Sequence, residues 1–133
     1  MDSQIWDDKV DSSIEILNIQ QRTISVYMNT IYEKIVDSSQ RCDHINSLLD
    51  QLELLCQKQF EYDEQLLEQV NFPSVAEQRR LHGLYLKAIN LFKAENDQCH
   101  SASCIKDFLK LRLDFISTIN KETMLLCDFL LKV

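Results

Sequence analysis

The sequence predicts an all-α chain of elongated, coiled-coil character. Two observations carry that expectation. The first is composition: 133 residues contain one glycine and one proline, where an ordinary domain of this length has roughly 9 and 7. Hairpins, phosphate loops and strand ends depend on those two residues, so a β-sandwich, a barrel, a Rossmann unit and a P-loop enzyme are all excluded. The second is periodicity. Val10, Ile14, Leu17, Gln21, Ile24, Met28, Ile31, Ile35, Ser38, Cys42, Ile45, Leu49, Leu52 and Cys56 alternate spacings of four and three, with only Gln21 and Ser38 polar apart from the cysteines. A 3.5-residue period held this long is the pattern of a coiled coil.

The first element expected is one long heptad helix over residues 1–71, which contain neither Gly nor Pro. At ~1.5 Å per residue it would reach about 100 Å. After Cys56 the register weakens: Gln59 and Asp63 fall on the seam before Leu66 and Val70 resume it. Tyr27, Leu48, Leu55 and Tyr62 add a flanking stripe, with Leu54, Phe60 and Leu67 beside it. So broad a face calls for two or more neighbouring helices.

Asn71-Phe72-Pro73 is the first punctuation, because Pro73 disfavours helix in the residue before it. The second segment is 72–98. Ser74-Val75-Ala76-Glu77 has the form of a capping box, which predicts a helix from about Val75 with Leu81, Leu84, Tyr85, Ala88, Leu91 and Phe92 on its apolar face. Gly83 lies inside that helix and is expected to mark a close contact or a soft point. Glu95 to Ser103 is a polar break. The third segment, 99–133, carries a helix from about Ser103, with Ile105, Leu109, Arg112, Ile116, Ile119, Thr123, Leu126 and Leu130 on one face and Phe108, Leu111, Phe115, Leu125 and Phe129 on another. Folding the two shorter helices back on the first gives a bundle; leaving the first open gives an arm that needs partners, and the strict heptad favours partners.

Charge narrows the function. The formal net charge is −7. Residues 1–72 carry 14 acids against 5 Lys/Arg and residues 73–133 carry 7 against 9. The chain lacks the basic stripe of a nucleic-acid binder, and no apolar run approaches the ~18 residues of a membrane span, so neither nucleic acid nor membrane insertion is expected. Five cysteines without a C-x-x-C imply no disulfide framework and point to a reducing compartment, cytoplasm or nucleus.

Cys42-Asp43-His44 and Cys99-His100-x-x-x-Cys104 invite a zinc reading, but neither has the spacing of a structural site. Cys42 and Cys56 sit on the seam, where cysteine acts as a small hydrophobe. Glu61, Asp63, Glu64 and Glu68 read as a solvated acidic face. No histidine stands three residues after a glutamate, as a di-iron bundle of the Glu-x-x-His kind requires. With almost no loops to hold a nucleophile, no enzyme activity, no metal and no cofactor are expected. The candidate functional residues are those of a partner interface: Trp6, Val10, Ile14, Leu17, Ile24, Met28, Ile31, Ile35, Ile45, Leu49, Leu52, Leu55, Leu84, Phe92, Phe108, Phe115, Ile119 and Leu126. The expected function is a non-enzymatic scaffold subunit of a hetero-oligomeric coiled-coil complex. The alternative is an autonomous helical-bundle adaptor or regulatory protein that takes a partner helix in a groove.

The order of elements also carries a resemblance. Trp6-Asp7 opens a long coil, a Gln-rich heptad stretch ends in Leu-Leu-Asp-Gln-Leu-Glu-Leu-Leu at 48–55, and a shorter helix, a polar break and a final helix follow. This resembles the C-terminal coiled-coil region of the FG nucleoporin of the nuclear pore's central channel. The resemblance implies parallel assembly with two other channel nucleoporins, anchorage to a linker nucleoporin, a place at the nuclear-envelope pore and a role in protein transport, with the seam residues as contacts. The chain contains no Phe-Gly pair.

Overall fold

A computed structural model describes the backbone of residues 2–132 and the side chains of residues 12–132. Four α-helices follow one another: α1 (Asp2–Val36), α2 (Cys42–Gln69), α3 (Val75–Glu95) and α4 (Ala102–Lys132). No strand occurs among the described residues. The connections are short, so successive helices run antiparallel. α1 packs on α2 and α4, α2 on α3, and α3 on α4, which closes an up-and-down four-helix bundle.

The single helix expected over 1–71 is two helices. The break falls at Asp37-Ser38-Ser39. The Asp37 carboxylate accepts from the Ser39 amide at 3.0 Å and from the Ser39 hydroxyl at 2.7 Å, a local alternative to the helical ladder that Asp and Ser side chains offer readily. These bonds hold the Asp37 carboxyl below its ordinary pKa. Ser38 is a turn residue and not a seam position. Gln21 bonds across to Asn120 of α4.

α2 ends in a Schellman motif. Asn71 adopts φ 57°, its N–H donates to the Glu68 carbonyl, and the Phe72 N–H donates to the Leu67 carbonyl. Asparagine is one of the few residues that takes this left-handed position at low cost. Pro73 then bars continuation. The capping box expected at Ser74 is not made: Ser74 caps α3 without a side-chain bond, and Glu77 pairs with Arg80 instead at 2.6 and 3.0 Å. At α4 the cap is Ser101, whose hydroxyl accepts from the Cys104 N–H at 3.0 Å. A Cβ built on Gly83 would meet nothing within 4 Å, so this glycine marks no close contact.

The apolar seam lies inside the chain's own bundle. Leu17, Ile24, Met28, Ile31, Ile35, Ile45, Leu49, Leu52, Phe92, Phe108, Phe115, Ile119 and Leu126 are buried against neighbouring helices, and Ile14 and Leu55 are half-buried. Leu84 is 48% exposed. Trp6 and Val10 lie outside the residues whose side chains are described. The core forms two clusters. The larger holds Ile24 to Ile35 of α1, Ile45 to Phe60 of α2, Ile89 and Phe92 of α3, and Phe108 to Ile119 of α4. The smaller gathers Leu17, Leu66, Leu67, Phe72, Leu126 and Leu130.

Candidate functional site

Between the two apolar clusters, every helix contributes polar side chains. On α1 they are Gln20 and Gln21, between Leu17 and Ile24. On α2 they are Gln59 and Asp63, one helical turn apart. On α3 they are Gln78 and His82, again one turn apart. On α4 they are Glu122 and Thr123, between Ile119 and Leu126. Residues four apart share a helix face, so each i,i+4 pair points inward together. Gln59, Asp63, Gln78, His82, Glu122 and Thr123 are all buried.

His82 organises this layer. It is 2% exposed. Its Nδ1 meets Glu64 Oε2 at 2.8 Å and its Nε2 meets Glu122 Oε1 at 2.6 Å. A carboxylate on each ring nitrogen calls for an N–H on each, so the ring is an imidazolium donating to both. Burial alone would lower its pKa, but the hydrogen bonds and charge of Glu122, the hydrogen bond of Glu64 and the charge of Asp63 outweigh burial and raise it. Phe60 stacks on the ring with centroids 4.0 Å apart and planes 4° from parallel, an arrangement that favours the cationic form. Glu64 is held from outside by Arg79 at 3.2 Å, and Arg79 also reaches Glu68.

Asp63 is the group most out of place. It is 2% exposed, and its pKa is pushed up to about 8 by burial and by the charge of Glu122, against smaller opposing effects of His82 and a Gln59 hydrogen bond. At neutral pH it is largely protonated. Its Oδ1, together with Gln59 Oε1 and Gln78 Oε1, is buried and has no hydrogen-bond partner; Gln20 Oε1 on α1 is in the same condition. An oxygen of Asp63, a ring nitrogen of His82 and an oxygen of Glu122 lie within 4.8 Å of one another. Bundle cores build metal and ligand sites in this way, from inward side chains on facing helices. The donor set fits a divalent transition ion, being carboxylate oxygen and imidazole nitrogen with amide carbonyls beside them. The unpartnered oxygens fit it as well, since each is an acceptor with no donor and a cation can take the donor's place.

The sequence reading of Asp63 as part of a solvated face is corrected by this burial; Glu61 and Glu68 are exposed. A legible signal existed on α2, where Gln59 and Asp63 interrupt the apolar seam one turn apart; Gln78 and His82 have that spacing on α3. Neither cysteine-histidine group comes together as a whole: Cys99 and His100 stay close to one another and to Cys42, but His44 and Cys104 lie outside that cluster. Cys42 is bonded to Cys99 in a disulfide across 57 residues, His44 is exposed, and Cys104 is buried as a free thiol. The disulfide also runs against the expected reducing compartment. No helix among the described residues is long and apolar enough to cross a membrane.

Among curated proteins, the chain is similar to a protein named bacteriohemerythrin from Stenotrophomonas maltophilia (strain R551-3), with 21% identity over 85 residues, which cover 64% of this chain and 54% of that one. The chain thus spans about half the length of the curated relative it matches. No protein-family model and no solved structure matches. This finding overturns the resemblance to the channel nucleoporin, and with it the nuclear-pore and transport expectations: the match is to a bacterial protein. The Trp-Asp pair and the Leu/Glu-rich segment that carried the resemblance are short, and any amphipathic helix of this composition can hold them.

Proposed function

We propose that this chain is an autonomous, non-enzymatic, hemerythrin-like helical bundle whose polar layer binds one divalent transition-metal ion. The observation that carries the reading is the set of buried, unpartnered oxygens at Asp63, Gln59 and Gln78, beside the clustered Asp63, His82 and Glu122. Leaving a buried acceptor unsatisfied costs about 1–3 kcal/mol, and a cation in the layer would relieve several at once. The likeness to a protein named bacteriohemerythrin supports the same reading.

Asp63, His82 and Glu122 would hold the ion, with Gln59 and Gln78 able to add carbonyl oxygens. The ion would supply the positive charge that the imidazolium otherwise provides. For this the chain has to release protons, one from His82 and one from Asp63, because ligands bind metal in their deprotonated forms. Glu64 then keeps the Nδ1–H of His82 and fixes the ring, as outer carboxylates do for metal-bound histidines. Phe60 closes one face of the ring against water.

The scaffold reading draws on the same apolar seam. Its residues are already engaged within the chain, which favours the autonomous module. The test is calorimetric titration of chelator-treated protein, disulfide intact, with Mn²⁺, Zn²⁺ and anaerobic Fe²⁺. One ion per chain is expected, lost in Asp63→Asn and Glu122→Gln. If none of the three ions binds, or if both variants bind like wild type, the reading fails.

A further inference from the structure

Cys42, Cys99 and His100 meet at the end of the bundle where α1 turns into α2 and α3 into α4. Cys42 is the first residue of α2. Cys99 lies in the α3–α4 connection, with the two Cα atoms 5.6 Å apart. His100 donates one ring N–H to the Ile35 carbonyl at 2.7 Å and the other to the Gln40 carbonyl at 2.6 Å. Both sulfurs and a ring nitrogen of His100 lie within 4.8 Å of one another.

We propose that, when the disulfide is reduced, Cys42, Cys99 and His100 form a zinc site, so that this end of the bundle is closed either by a sulfur–sulfur bond or by a metal ion. Two thiolates and an imidazole are zinc's preferred donors, and three protein ligands leave the fourth tetrahedral position to water. The surroundings suit each ligand. A thiol at a helix N-terminus favours its thiolate, and Cys42 opens a 28-residue helix. A zinc-bound histidine commonly donates its other N–H to a backbone carbonyl, and His100 already has two such carbonyls, one of which it keeps. The scaffold is held independently of the sulfur bond by the packing of Cys99, Ile35, Ile45 and Cys104 into the larger core.

The exchange of the sulfur–sulfur bond for a metal ion takes two steps. A dithiol reductant transfers two electrons and two protons to the disulfide, giving two Cys–SH groups and its own disulfide. Zinc then binds with release of three protons, one from each thiol and one from the imidazolium. The site is separate from the polar layer and shares no residue with it.

The test uses the full chain, reduced with a phosphine and then freed of it. Co²⁺ is the probe, since it reports thiolate ligation by a charge-transfer absorption, and Zn²⁺ should displace it. One Co²⁺ with that absorption is expected per reduced chain, none in the disulfide form. Cys99→Ser should abolish the band and His100→Ala should weaken binding about tenfold or more. Cys127→Ser and Asp63→Asn should leave the band unchanged, which separates this site from the polar layer. Zinc should also protect Cys42 and Cys99 of reduced wild type from alkylation, read by peptide mass, so the test does not depend on a variant folding. The proposal is overturned if reduced wild type gives no thiolate band, if the band survives Cys99→Ser, or if zinc protects neither cysteine.

Discussion

Replacing Asp63 with asparagine removes one titrating proton from the core and almost nothing else, because the two side chains have the same shape. In the native bundle the Asp63 carboxyl has a pKa of about 8 against an ordinary 3.8. Between those values the native chain holds a proton that the unfolded chain has released. Stability attached to this group is therefore fully present below pH 3.8, falls as pH rises, and levels off above about pH 8. Each pH unit of that window is worth about 1.4 kcal/mol, which sets an upper limit of ~6 kcal/mol across it. Side-chain adjustment around the carboxylate reduces the figure, and we expect ~2–4 kcal/mol. The stabilisation of His82, whose pKa is raised, is lost in the same direction and persists in the variant. Urea unfolding in chelator at several values from about pH 4.5 to about pH 8.5 reads the effect. Asp63→Asn should match wild type at the acid end and be the more stable protein at the alkaline end. Parallel stability curves would refute the argument, since they would mean that Asp63 does not hold its proton in the native core.

Three further outcomes follow from burial and geometry. Gly83→Ala, at an exposed mid-helix position with open space around it, should stabilise the chain by about 1 kcal/mol in urea unfolding, and a loss of stability would count against the open-space geometry. Phe108→Ala, fully buried with its ring 5.4 Å from Phe92, should cost about 3–5 kcal/mol, whereas Leu84→Ala, largely exposed, should stay within about 0.5 kcal/mol; equal costs would contradict the assigned core. Reducing the Cys42–Cys99 bond in metal-free buffer frees a loop with a sequence separation of 57, a loss of about 4 kcal/mol by chain entropy, and an unchanged denaturation midpoint would show that the bond is not formed in solution.

The all-α class was legible because it rests on local chemistry: scarce Gly and Pro, and apolar residues at helical spacing. The bundle was not, and the reason lies at Asp37-Ser38-Ser39. The heptad count passes through that turn without a slip, since Ile35 and Ile45 are ten residues apart, two threes and a four, a spacing that both one straight helix and two packed helices satisfy. Only the tendency of Asp and Ser to bond their own backbone distinguished the two. The disulfide was out of reach for a different reason, because residues 57 apart meet only through the path of all four helices. The polar layer stood between these extremes. Gln59 and Asp63 were visible as a polar pair on the seam, but Gln78 and His82 were not, because the face read through Leu81, Leu84 and Leu91 is rotated from the buried one, which runs through Gln78, His82, Ile89 and Phe92; their convergence also needed α2 and α3 to be neighbours.

The polar layer also divides the molecule energetically. Apolar burial is the main source of local resistance to opening, and it is unequal on the two sides: the cluster containing Ile31, Leu52 and Phe108 is extensive, while that of Leu17, Leu66, Leu67, Phe72, Leu126 and Leu130 is small. The large cluster is also the one beside the disulfide. Amide hydrogen exchange should therefore proceed from the end holding Phe72 and Leu130 and slow abruptly beyond Asp63 and Glu122. The buried His82–Glu122 pair would then sit at the frontier between a half that breathes and a half that stays shut, which gives an ion or a proton a route to a site that is closed in the resting bundle.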